Sequence, residues 1–349
     1  MTEAIHPYLW DKSGAVDADV ERLESLMSGL RYHPQPLAWE RGIAQPKSRR
    51  FRVWRWTAVV AAAAMVLVAA ALSIQSRFTW RPGEPWRVSA LAGNPSIDKQ
   101  AFSGAARLPI GQVLETDSQS RARLHVASLG IIDVEPGTRL RLVATTAKRH
   151  GLALDYGTIS AHMWAPPFSL SIETESAAVF DLGCAFTLHA ERGGYGTVHV
   201  TSGWIEFESA DRRVLVPQGA EAVTRAGIGP GTPYFSDATP EFKLAIAQFD
   251  SHPDDAGARA AAVDRILSTA RMRDAFTLLN LFHEVTPDAR PQVLDRMAAL
   301  VPIPSGFTRD DLLAMRQPAL AAYWGAVHAA LHLDNPKSWI MRWKDVLGD

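Results

Sequence analysis

The stretch RARLHVASLGIIDVEPGTRLRLV, Arg121 to Val143, alternates in twos. Leu124 stands between Arg123 and His125, and Leu140 and Leu142 are interleaved with Arg139 and Arg141. A strand sends successive side chains to opposite faces, so this period predicts half-buried strands with one apolar and one polar face. Gly130 and Gly137 punctuate the run as turn glycines do. The same period returns in FSLSIET, where Phe168, Leu170 and Ile172 alternate with Ser169, Ser171 and Glu173. With further turn glycines at Gly111, Gly151, Gly157, Gly183, Gly203 and Gly219, the pattern predicts roughly ten short strands between about Trp86 and Ala238.

Downstream, GIGPGTPYF, Gly227 to Phe235, reads as a stiff linker that ends the strands. It has no Lys followed by Ser or Thr, and its prolines remove backbone donors that a phosphate cradle needs. After Pro240 the period becomes helical: Phe242, Ile246 and Phe249; Val263, Ile266 and Leu267; Phe276, Leu279 and Phe282; Val293, Met297 and Leu300; Leu312 and Leu313; Leu320, Tyr323, Trp324 and Val327. Breaks at His252-Pro253, Thr286-Pro287 and Pro302 to Pro304 divide this region into about four to seven helices, stacked as antiparallel pairs.

Upstream, TAVVAAAAMVLVAAALSIQS, Thr57 to Ser76, carries no charge, and as a helix it would be about 30 Å long, the thickness of a bilayer core. Lys47, Arg49, Arg50, Arg52 and Arg55 precede it without an acid, which places the N-terminus on the cytoplasmic side. Trp54 and Trp56 at one end, with Phe78 and Trp80 at the other, match the aromatic belts of a membrane span. A buried core helix and a cleaved signal peptide are the alternatives; the chain ahead of the apolar run is far longer than a normal signal n-region.

Before that segment, DADVERLESLMSGL sets Val20, Leu23, Met27 and Leu30 along one helical stripe with Leu26 beside it, and Asp17 stands ready to cap the start. Pro34, Pro36 and Pro46 deny this head a second long helix, so its apolar face has nothing local to pack on. Leu9 and Trp10, in HPYLWD, add apolar area of the kind enriched at interfaces. Leu9, Trp10, Leu23, Leu26, Met27 and Leu30 are therefore the expected partner-binding residues. A helix lying on the inner leaflet is the alternative reading.

At 349 residues, with 36 basic and 37 acidic side chains, the chain has room for two or three domains and no surplus of charge that calls for nucleic acid. Its single cysteine, Cys184, excludes an intrachain disulfide and a four-thiolate zinc site. Cys184 shares a strand face with Phe186, Leu188 and Ala190 and reads as a core residue. His189 and His199 flank the turn ERGGYG on the polar face of a hairpin, with Glu191 near; two imidazoles are too few to predict a metal. GxSxG and HExxH are absent. No enzyme activity, catalytic residue, metal or other cofactor is expected.

The chain resembles the FecR-like regulators, single-pass inner-membrane proteins paired with extracytoplasmic-function sigma factors. The likeness runs through RLPIGQVLETDSQSRARLHVASLGIIDVEPGTRLRLV, LALDYGTISAHMWAPPFSLSIETESAAVFDLGCAFTL, GTVHVTSGWIEFES and VLVPQGAEAVTRAGIGPGTPYFSDA, about residues 86–238. The opening YLWDKSG and the helical tail are similar to a branch with short heads. The head departs from better-known members, whose heads are longer helical units, and it lacks the zinc-binding His and Cys pattern of another anti-sigma class.

The resulting expectation is a membrane-anchored multidomain regulator of the anti-sigma type, with no direct nucleic-acid contact. It comprises a cytoplasmic head at 1–56, a transmembrane helix at 57–76, an exported all-β domain at 77–238 and an exported all-α domain at 239–349. The resemblance implies a sigma factor bound by the head and an envelope protein or ligand on the exported, periplasmic side, the signal passing across the bacterial inner membrane. An envelope scaffold or ligand-binding protein with no sigma partner is the alternative.

Overall fold

The computed structural model of the chain describes residue 13, residues 15–30, residues 65, 66, 68 and 69, and residues 82–333 except 148, 165 and 211. It has two compact units, Met1–Ala64 and Met65–Asp349. In the first unit lies helix α1, Ala18–Met27, followed by a 3-10 turn, Ser28–Leu30.

In the second unit the strands are β1 Trp86–Ala92, β2 Ser96–Ile97, β3 Gln100–Ala101, β4 Ala105–Leu108, β5 Val113–Glu115, β6 Arg121–Val126, β7 Gly130–Val134, β8 Arg139–Thr145 and β9 His150–Met163. They continue as β10 Leu170–Glu173, β11 Ala178–Asp181, β12 Ala185–Ala190, β13 Gly196–Ser202, β14 Trp204–Glu208, β15 Arg213–Pro217, β16 Ala220–Arg225, β17 Gly229–Pro230 and β18 Tyr234–Phe235. Helices α2 Pro240–Ser251, α3 Ala256–Thr269, α4 Ala275–Glu284, α5 Arg290–Leu300, α6 Arg309–Leu313 and α7 Gln317–Ala330 follow.

The strands form two sheets that share β9. One sheet runs β4-β1-β6-β7-β9-β12-β13-β16, with β17 and β18 on its last strand. The other runs β3-β2-β5-β8-β9-β10-β11-β14-β15. Among the described residues every pairing is antiparallel except that of β9 with β10.

Gly157 is where β9 passes from one sheet to the other. Before it, Leu152 and Leu154 point into the core; after it, Ile159, Ala161 and Met163 do, so the inward set changes from even to odd positions. The residue has φ +104, which L side chains rarely adopt, and a Cβ there would lie 2.4 Å from Thr138 Cα. Thr138 Oγ1 braces the corner, accepting from Thr158 N at 3.0 Å. Gly157, expected in a turn, thus stands inside a long strand, as does Gly151, whereas Gly130 opens β7 directly after a turn.

Three other expectations are revised by the backbone. The strands are shorter and more numerous than roughly ten. The glycine-proline run at 227–235 is no linker, because β17 and β18 pair with β16. Phe168 precedes β10 in a turn at φ 64 rather than facing inward from a strand.

The helices pack against the strands in one continuous core. Phe242, Ile246 and Phe249 of α2, Phe276, Leu279 and Phe282 of α4, and Tyr323 and Val327 of α7 are buried, as the helical period requires. Trp204 of β14 stacks on His328 of α7 at 5.2 Å and meets Phe276 edge-on at 6.1 Å. Phe235 of β18 lies 5.9 Å from Phe276. A buried polar clasp reinforces this junction: Asp250 of α2 accepts from Thr232 N at 2.7 Å and from Thr232 Oγ1 at 2.9 Å, and pairs with Arg212 at 3.3 Å.

The membrane span is corrected. Crossing a bilayer takes about 20 consecutive apolar residues in one helix, and among the described residues no helix is long and apolar enough to cross a membrane. Within 57–76 the described residues are Met65, Val66, Val68 and Ala69, all helical, and the rest of that segment lies outside them. The single-pass inner-membrane placement, with a cytoplasmic N-terminus and a periplasmic C-terminus, rested on that span and is corrected with it.

Candidate functional site

Helix α1 begins where the sequence pattern places it. Asp17 is the N-cap, its Oδ1 accepting from Asp19 N at 3.0 Å, and Asp19 and Glu21 lie in the first turn, where the helix dipole favours acids. Leu23 and Met27 follow at a four-residue step with Leu26 alongside, so they share one side of the helix, and Leu30 follows Met27 at a three-residue step at the end of the 3-10 turn. Within Ala18–Met27 no residue is buried. Leu26 is 76% exposed and Leu30 79%, with Leu23 and Met27 also exposed. Leu9 and Trp10 lie outside the described residues.

An apolar stripe of this kind is the surface a helix presents to a groove or to another helix. Fully burying a leucine contributes about 1.5–3 kcal/mol. A few such side chains therefore suffice for a contact of useful affinity once the cost of ordering a short segment is subtracted.

The second unit answers the question raised by Cys184. The thiol is buried with Phe186, Leu188 and Ala190, and its Sγ donates to Asp181 Oδ1 at 2.7 Å. The same oxygen accepts from Cys184 N at 3.0 Å. Burial and the Asp181 carboxyl beside it push the thiol well above its ordinary value, the opposite of what a nucleophile needs. Asp181 is itself fully buried, and burial pushes its pKa up to about 7, against the hydrogen bonds from Cys184 and Gly183 that lower it. Sequence reading missed Asp181; an acid two residues before a glycine and three before a core cysteine, in AVFDLGCAF, is the signal that was present.

His189 and His199 do face outward on neighbouring strands but are not opposite each other, since His189 pairs with Thr197 and His199 with Thr187. Each has its own partners: His189 Nδ1 lies 2.9 Å from Thr158 Oγ1, and His199 Nδ1 lies 3.2 Å from Ser236 Oγ. Glu191 is 3.5 Å from His189, and Glu221 is 3.6 Å from His199. Among the described residues no group of three or more His, Cys, Asp or Glu is arranged to hold a metal ion.

A cavity of about 310 Å³ opens where the β13–β14 turn meets the end of α7, lined by His199, Trp204, Gln218, Arg273, Leu331 and His332 among others. Its strongest charge is already committed. Arg273 pairs with Asp237 at 2.8 Å and lies 4.2 Å over the ring of Phe235.

No family model matches the chain, and no curated protein matches its sequence. Two crystal structures, at 1.65 and 2.50 Å resolution, of a protein from Parabacteroides distasonis ATCC 8503 provisionally named an anti-sigma factor are similar to part of it. Each shows 15% identity and a TM-score of 0.31. Each match covers 39% of this chain and 64% of the other, so the chain spans less than two thirds of the length of the structures it resembles.

Proposed function

We propose that the chain is a regulator of the anti-sigma type, which binds a sigma factor of the extracytoplasmic-function class through the apolar stripe of α1 and acts by protein contact rather than catalysis. The observation that carries this reading is the exposure of Leu23, Leu26 and Met27 together on one side of a capped helix, with Leu30 exposed in the turn that follows it. Such a stripe in water loses the free energy its burial would supply, and a partner groove recovers it. The resemblance of residues 86–238 to the FecR-like regulators supports a sigma factor as that partner. Leu9 and Trp10 extend the same proposed contact.

The test is co-purification of the full chain with sigma factors after mild crosslinking in cells, repeated with Leu23→Asp and Leu26→Asp combined. Two buried leucines at about 1.5–3 kcal/mol each make the expected loss a hundredfold or more in affinity, roughly. Recovery of no sigma factor with the unaltered chain, or equal recovery with the double variant, refutes the reading.

A further inference from the structure

The outward face of the first sheet pairs most of its charges. Arg123 on β6 is opposite Asp133 on β7, and the two meet at 2.6 Å. Arg121 reaches Glu135 at 2.6 Å. One row of that face differs. Backbone register sets Arg107 of β4 directly opposite Arg87 of β1, and Arg87 directly opposite His125 of β6. The row continues through Ile131 to His162 of β9. Trp164 stands just beyond, half exposed at 49%, its ring 5.9 Å from His162 and its Nε1 donating to Ser128 O at 2.8 Å.

Arg87, Arg107 and His162 are exposed, and among the described residues neither Arg87 nor Arg107 has a carboxylate within ion-pair distance. Directly opposed cross-strand side chains are about 4.5–5.5 Å apart at Cβ, and like charges so placed destabilise the sheet. An anion lying over the row reverses that sign, because it attracts both guanidinium groups at once.

The width of the row decides which anion. On one side of the row Asp133 and, one row further, Glu135 are already paired with Arg123 and Arg121, so a broad polyanion such as a nucleic acid extending that way would meet cations that are already neutralised. Along the row, from β4 to β9, four strand spacings amount to about 19 Å. An extended peptide of about six residues spans this distance, with alternate side chains turned to the sheet. We infer that this row binds an acidic, extended peptide segment of a partner protein, its sheet-facing carboxylates shared among the side chains of Arg107, Arg87 and His125, with Trp164 packing its end. The residues of the row all belong to the second unit, and the proposal does not depend on the sigma-factor reading.

The experiment uses the full chain and a fluorescein-labelled peptide of alternating Glu and Ser, followed by fluorescence anisotropy. Its controls are the same peptide with Lys for Glu and an equally labelled oligothymidylate. Arg87→Ser combined with Arg107→Ser is expected to weaken binding of the acidic peptide on the order of tenfold, as removal of two exposed charge contacts does. Raising salt from roughly 50 to roughly 300 mM is expected to weaken it further. Arg265→Ser on α3 is expected to change nothing. The thermal midpoint of the double variant is expected to equal or exceed that of the unaltered chain, since an unfavourable pairing is removed. Failure of the unaltered chain to bind the peptide, binding to the double variant within twofold, tighter binding of the oligothymidylate, or a midpoint lowered by several degrees each overturns the proposal. Should the double variant not fold, Arg107→Thr on the edge strand β4 replaces it, with a roughly threefold weakening expected and no change as the refuting result.

Discussion

Replacing Asp181 by Asn tests how the core around Cys184 is held. Asp181 is fully buried, its Oδ1 occupied by Cys184 and its Oδ2 without a partner. Burial raises its pKa from 3.8 to about 7, so between these values the folded chain keeps a proton that the unfolded chain releases. The folded state then binds more protons, and stability falls as pH rises through that window, being fully present below 3.8 and lost above about 7. One pKa unit corresponds to about 1.4 kcal/mol, so between about pH 5 and about pH 8 the Asp181 contribution declines by roughly 3 kcal/mol. His150 and His328 act in the opposite sense: burial lowers both to about 4, and stability is lost as pH falls from the unfolded value of 6.5 toward 4. Both histidines are present in the wild type and the variant, so their effect cancels in the difference. Urea unfolding followed by tryptophan fluorescence at the two pH values should therefore show Asp181→Asn gaining about 3 kcal/mol on the wild type between about pH 5 and about pH 8, whatever the absolute cost of the amide. A difference that does not change with pH refutes the placement of a neutral carboxyl in that core.

Two further substitutions probe the corner and the clasp. Gly157→Ala should cost about 3 kcal/mol, from an unfavourable φ and from overpacking on the Thr138 backbone. Gly137→Ala, at φ 68 with nothing within 4 Å of its Cβ, should cost only the backbone part, so equal losses in chemical denaturation would show that β9 does not turn at Gly157 as described. Asp250→Ala leaves the largely buried Arg212 with Glu284 at 3.4 Å as its remaining carboxylate partner, and should cost about 3–5 kcal/mol. Adding Arg212→Met should restore part of that loss; a double variant less stable than Asp250→Ala alone contradicts the clasp.

The elements written in local periods were legible in the sequence by itself. Alternation around Leu124, Leu140 and Leu142 identified strands. The spacing of Phe242, Ile246 and Phe249, and of Phe276, Leu279 and Phe282, identified helices, and Asp17 with Leu23, Met27 and Leu30 identified α1 and its apolar stripe. These signals depend on side chains a few residues apart, which the backbone geometry of one element brings to one face. The expectation of a membrane span came from an uncharged apolar run with basic and aromatic flanks, and among the described residues no helix is long and apolar enough to cross a membrane.

What tertiary structure decided concerns groups distant in sequence. Gly157 looked like any turn glycine, although the change from even to odd inward positions between Leu154 and Ile159 was there to be read. The positive φ and the approach of Thr138 together make glycine necessary at that point. The run 227–235 read as a stiff linker, yet β17 and β18 pair with β16, and such edge pairing needs few backbone donors. Arg87, Arg107 and His125 form a row only through the register of β4, β1 and β6. Asp181 has a raised pKa because the fold buries it completely. Cross-strand register and desolvation depend on which distant segments meet, and local sequence periods carry no record of that.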